Sequence, residues 1–198
     1  MSFFDDNRKV GLALIIVGIL NAVVPIMNIV HVFIDHESVG NAIGPIGALI
    51  FGLLILSLGF RVRSWSNDRV GILSELVRVI GVATILIAVF KAISNFVTGD
   101  VGIASSIVTI LSGVIIGLIL LWISAKIKGK SKNILSKFLW ALLVIVFLAL
   151  SIITIVSLVS GLLDKAWLDA LMSLCNIFVY VYAFLASISS EVRHSMNT

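Results

Sequence analysis

The chain has 198 residues, 60% hydrophobic and 12% charged, with a formal net charge of +4 and a mean hydropathy of +1.21. Soluble domains carry about 25% charged residues, and none of this length could hide so much apolar surface. The composition therefore excludes a soluble fold and describes a polytopic membrane protein.

The opening MSFFDDNRKV has no apolar core followed by a small-residue cleavage site, so no secretory signal is expected. Crossing a hydrocarbon core about 30 Å thick takes roughly 20 apolar residues. Six segments qualify, at 10–34, 40–60, 77–97, 101–124, 138–163 and 167–188. Lipid offers no partner to a backbone amide, so each span is a helix. Runs this continuously apolar do not fit the alternation of a barrel. Residues 1–198 then form a single all-α transmembrane domain, a six-helix bundle of three outward-pointing hairpins.

Span one carries Asn21, Pro25, Asn28, His31 and Asp35 within about 120° of one another at 100° per residue. His31 and Asp35 sit one turn apart, with His36 and Glu37 beside them. The run straddles a helix end and nothing completes a ligand set, so no metal is expected. In span two, Asn41, Pro45, Ala48, Gly52 and Gly59 share a face suited to packing. Ser66, Asn67 or Asp68 could cap a helix continuing into span three, with Glu75 and Arg78 at the interface. Span three holds Lys91, Ser94 and Asn95. A cation inside a span costs at least about 2.5 kcal/mol, so Lys91 either meets a partner or snorkels to nearby headgroups. Span four has Ser105, Thr109 and Ser112. The following turn, KIKGKSKNILSK, would contact anionic lipid through Lys126, Lys128, Lys130 and Lys132, or dock a cytoplasmic partner. In span six, Asp169, Ser173, Asn176, Tyr180 and Ser187 form a narrow stripe.

Charge predicts the orientation. Arg8, Lys9, Arg61, Arg63, Arg69, Arg78, Lys126, Lys128, Lys130, Lys132, Lys137 and Arg193 all fall on one side, leaving only Lys91 and Lys165 on the other. Both termini are expected to be cytoplasmic, in a cell membrane. Small marks repeat between the first two hairpins. Arg8, Gly11 and Ala13 are echoed by Arg78, Gly81 and Ala83, and Ser38, Gly40 and Ala42 by Asp100, Gly102 and Ala104. Ser38 and Asp100 suit N-caps. Gly18 with Ala22, Gly40 with Gly44, Gly113 with Gly117, and Ala183 with Ser187 have the spacing that lets helices approach closely.

Depth groups the polar residues. Counted from the flanking charges, Asn21, Lys91 and Asn176 share a layer in the outer half, roughly 20 Å from the inner boundary. Asn28, His31, Asp35 and Asp169 lie above it, and the inner half reads as almost purely apolar. Such a layer predicts a substrate-binding pocket between spans one, three and six, lined by Asn21, Asn28, His31, Lys91, Asn95, Asp169, Asn176 and Tyr180. The solute would be small and polar or anionic, with Lys91 fixing an anionic group. His31 could also act as a pH-sensitive donor. The alternative is a non-catalytic accessory subunit of a larger membrane complex, its polar stripes serving as interhelical glue.

Phosphate-loop, zinc-protease and nucleophile-elbow motifs are missing from the sequence, and the lone Cys175 excludes an intrachain disulfide. Neither an enzyme, a catalytic residue, a cofactor nor a nucleic-acid partner is expected. No motif assigns the chain to a family. In architecture alone it resembles the substrate-binding subunits of energy-coupling-factor vitamin transporters.

Overall fold

The computed structural model describes residues 6–64, 68–99, 101–128 and 134–196. They form α1 (Asn7–Ile34), α2 (Val39–Ser64), α3 (Arg69–Thr98), α4 (Ile103–Lys128), α5 (Ile134–Leu163), α6 (Trp167–Ser187) and the short α7 (Ser190–Ser195). The first six are each long and apolar enough to cross a membrane. Their boundaries differ from the predicted spans chiefly at α3, which begins eight residues before the expected apolar run. Hydropathy sees only the apolar part of a helix, and the cap sets its real start. Asp68 Oδ1 accepts from the Gly71 N–H at 2.8 Å. Asp6 Oδ1 likewise caps α1, from Arg8 N at 2.9 Å, and Ser38 Oγ accepts from Gly40 N at 3.3 Å before α2. Ser66, Asn67 and Asp100, the other expected caps, lie outside the described residues. Gly99 ends α3 at φ 73°, its N–H bonding to the Asn95 carbonyl, a left-handed closure that a side chain would oppose.

Successive long helices run in opposite directions, so the ends of α1, α3 and α5 and the starts of α2, α4 and α6 lie at one end of the bundle, here the turn end. The other end, which carries the start of α1 and the whole of α7, is the terminal end. The closest packing is α1 on α2, then α3 on α4, α2 on α3, and α5 on α6. Glycines explain it. A Cβ on Gly52 would lie 2.5 Å from Ala22 N, and one on Gly59 would lie 2.7 Å from Ile15 N, so α1 and α2 touch backbone to backbone. On its other flank α2 meets α3, where Ser94 Oγ donates to the Gly40 carbonyl at 2.7 Å. Gly113 and Gly117 of α4 are pressed against Ala88 and Ile85 of α3.

The buried core is concentrated at the terminal end. It joins Leu14 of α1, Ile55 and Leu58 of α2, Leu73 and Leu76 of α3, Ile123 of α4, Leu143 and Phe147 of α5, and Val179 and Ala183 of α6. Gly71 to Val77 of α3 are buried without interruption, because this stretch is enclosed by neighbours on every side. Toward the turn end α4 and α5 expose Ile107, Val108, Leu111, Ile152, Ile153 and Val156. Apolar faces of this extent are what lipid covers and water does not.

Candidate functional site

α1 has two packed stripes. Gly11, Ile15, Gly18 and Ala22 meet α2. Val10, Leu14, Val17, Asn21 and Val24, rotated by roughly 110°, are also buried, and Val10, Leu14 and Val17 belong to the core shared with Val179, Ala183 and Ala186 of α6. α6 touches α1 more than it touches any helix but α5. At the turn end this α1–α6 seam opens into a cleft of about 380 Å³, lined by Asn28, Lys165, Ala166, Trp167, Leu168 and Asp169. Lys165 stands in the turn at φ 56°. Asp169 occupies the first turn of α6, where the helix dipole favours a carboxylate.

Two turns further into the bundle from Asn28 and Asp169, α1 and α6 each carry an unusual amide. Asn21 is 0% exposed; its Nδ2 donates to the Val17 carbonyl at 3.0 Å, while its Oδ1 is buried without a partner. The Asn176 Oδ1 is buried and unpartnered as well. Pro25, one turn beyond Asn21, has no N–H, so the Asn21 main-chain carbonyl is also denied its usual helical donor. A buried polar atom left unpaired costs about 1–3 kcal/mol. Ser106 Oγ of α4 is a third such atom, and the two amide oxygens stand out because each lies two turns below a residue of the cleft.

The other candidate residues are placed as follows. His31 Nδ1 lies 3.8 Å from Asp35 Oδ2, and both side chains are exposed. Tyr180 is half-buried against the core. Lys91 is exposed and Asn95 half-buried on α3. α2 packs between α1 and α3, and neither Lys91 nor Asn95 is among the residues lining the cleft. Asn28 and Asp169 are brought together directly in one cleft, and Asn21 and Asn176 lie two turns further into the bundle on the same two helices. Among the described residues, no three His, Cys, Asp or Glu side chains converge as a metal site would require. Lys126 lies in the last turns of α4; the side chain of Lys128, and Lys130 and Lys132 altogether, lie outside the description.

A second polar cluster sits at the terminal end, where an almost purely apolar interior was expected. Glu75, its side chain 8% exposed, is 3.6 Å from Arg61 Nη1 of α2 and 3.9 Å from Arg78 Nη1. Beside it Ser74 Oγ donates to the Ser124 carbonyl at 2.9 Å, and Ser124 Oγ donates to the Ser74 carbonyl at 2.8 Å. A cleft of about 290 Å³ is lined by Ser74, Glu75, Arg78, Leu121, Ser124 and Ala125. The cap at Asp68 places Glu75 two turns inside a helix, and the packing of α2 and α4 around that turn buries it.

Helical throughout its described elements, with six helices of spanning length and apolarity, the chain has the make-up of an integral membrane protein. It matches no family model, and comparison with curated proteins and with solved structures finds no match.

Proposed function

We propose that this protein binds or transports a small polar solute in the seam between α1 and α6, admitted from the turn end. The observation that supports this reading is the pair of unpartnered buried amide oxygens, Asn21 Oδ1 and Asn176 Oδ1, beneath the cleft that joins Asn28 to Asp169. An inert bundle gains nothing from unsatisfied acceptors in lipid, whereas a binding seam uses them when the solute arrives. Asn28 and Asp169 would orient the solute at the mouth, with Tyr180 as the floor. His31 would act from the rim, whereas Lys91 and Asn95 of α3 do not line the cleft. The charge asymmetry supports cytoplasmic termini and a cell-membrane location, with Lys126, Lys128, Lys130 and Lys132 against anionic lipid. No catalytic role is assigned to any residue.

The second reading is an accessory subunit of a membrane complex. The wide apolar faces of α4 and α5 favour it, since a partner helix would bury them as readily as lipid. One experiment separates the two. Thermal stability of the purified protein is measured against a panel of polar metabolites and ions. A saturable rise abolished by Asp169→Ala or Asn28→Ala supports the binding site, and its loss in Lys91→Ala would add α3 to it. A wild type that no solute stabilises, and that co-purifies stoichiometrically with other subunits, refutes solute binding.

A further inference from the structure

The chemistry of the α1–α6 seam specifies the group that reaches deepest into it, an inference that rests on the solute-binding reading above. Asn28 of α1 and Asp169 of α6 line one cleft, and the two helices run in opposite directions. Each carries an asparagine seven positions further into the bundle, Asn21 and Asn176. Seven residues make two turns less about 20°, a rise of about 10 Å. Asn21 and Asn176 therefore lie at one level below the cleft, on the faces carrying Asn28 and Asp169. The same register sets Leu14 level with Ala183, and both are fully buried. At Asn21 the amide orientation is fixed by bonding, because exchanging its oxygen and nitrogen would set Oδ1 against the Val17 carbonyl. The deep unpartnered group of Asn21 is therefore an acceptor, and at Asn176 the atom buried without a partner is likewise the amide oxygen.

We propose that these two oxygens accept hydrogen bonds from the ammonium group of a protonated amine. An ammonium supplies three N–H donors, whereas an anion would face unpartnered acceptors with nothing to give them. The field at the turn end agrees. Among the described residues it carries Asp35, Glu37, Asp164 and Asp169 against Lys91 and Lys165, an acidic excess that concentrates cations and repels anions. Lys165 shares the cleft with Asp169, so the cation passes the carboxylate at the mouth and binds below both. Trp167 and Leu168 in the same lining give the carbon chain of the amine an apolar wall.

The probes are butylammonium chloride, tetramethylammonium chloride, 1-butanol and sodium butyrate, matched in ionic strength, with thermal stability of the detergent-solubilised full chain as the readout. Butylammonium is expected to raise the melting temperature saturably, while tetramethylammonium, a cation without N–H, butanol and butyrate leave it unchanged. Asn176→Leu and Asn21→Leu should each raise the half-saturating concentration at least tenfold, and Asp169→Asn should raise it by a smaller factor that shrinks at high salt. Asn176→Thr, which keeps an acceptor oxygen, covers the case in which a leucine variant fails to fold and should bind better than Asn176→Ala. The proposal is overturned if butanol or butyrate acts as strongly as butylammonium, or if the asparagine variants bind it unchanged. It is also overturned if no probe binds and the leucine variants are simply more stable, the signature of a trapped water. A neutral or anionic metabolite whose stabilising effect requires Asp169 would sink the amine and leave the cleft reading intact.

Discussion

The α1–α2 seam gives a sharp test of the packing. Gly52 and Gly44 both lie within α2, so replacing either with alanine brings the same gain in helix propensity, about 1 kcal/mol. Their surroundings differ. A Cβ at Gly44 would meet Ser94 Oγ at 3.6 Å and Ser94 Cβ at 3.7 Å, an ordinary contact. At Gly52 it would lie 2.5 Å from both Ala22 N and the Asn21 carbonyl carbon, and 2.7 Å from the Asn21 oxygen. Carbon contacts settle near ~3.5–4.0 Å, so α1 must withdraw by about 1 Å, and a gap of that size forfeits about a quarter to a half of each dispersion well it opens. The withdrawal cannot stay local, because Gly59 is locked against Ile15 and Gly11 on the same seam. Overpacking of this kind costs about 1–3 kcal/mol. Gly44→Ala should therefore be neutral or stabilised by up to about 1 kcal/mol, and Gly52→Ala should fall about 2 kcal/mol below it. Reversible unfolding in mixed micelles, titrated with SDS and followed by far-UV circular dichroism, measures both. Equal stability of the two variants would refute the backbone contact between α1 and α2.

Further outcomes follow from the terminal end and from the charge pattern. Trp140→Phe removes the Nε1 bond to the Ser187 carbonyl at 2.8 Å while keeping an aromatic ring beneath Arg193, which lies 5.7 Å from the Trp140 centroid; a loss of about 1 kcal/mol is expected in the same unfolding assay. Glu75→Gln leaves Arg61 and Arg78 without their shared carboxylate. Because the Arg78 side chain is 63% exposed, the loss should be no more than about 1 kcal/mol, and the gap to wild type should narrow in high salt. In a Cys175→Ser background, Asp164→Cys should react with an impermeant maleimide on intact cells, and Lys137→Cys only after permeabilisation; the reverse pattern would invert the proposed orientation.

The apolar runs by themselves determined that the chain is a membrane protein of six helices, because a backbone in lipid has no alternative partner for its amides. Residue periodicity likewise placed Asn21 and Asn28 on one face of α1, and Asp169 and Asn176 on one face of α6, since helical geometry is local. Small-residue spacing marked Gly18 with Ala22 and Gly113 with Gly117 as contact points, and in the fold they are. What each face meets is not local. Lys91 matches Asn21 in depth, yet depth carries no information about azimuth around the bundle, and α2 packs between their helices. Glu75 read as an interfacial charge even with a cap expected near Asp68, because a cap fixes where a helix starts and not what surrounds it, and only the neighbouring helices decide that it is buried. The register that sets Asn21 level with Asn176 depends on where α6 docks along α1. That docking is fixed by side chains far apart in sequence, Leu14 and Val17 on one helix and Val179 and Ala183 on the other, which must fill the same space.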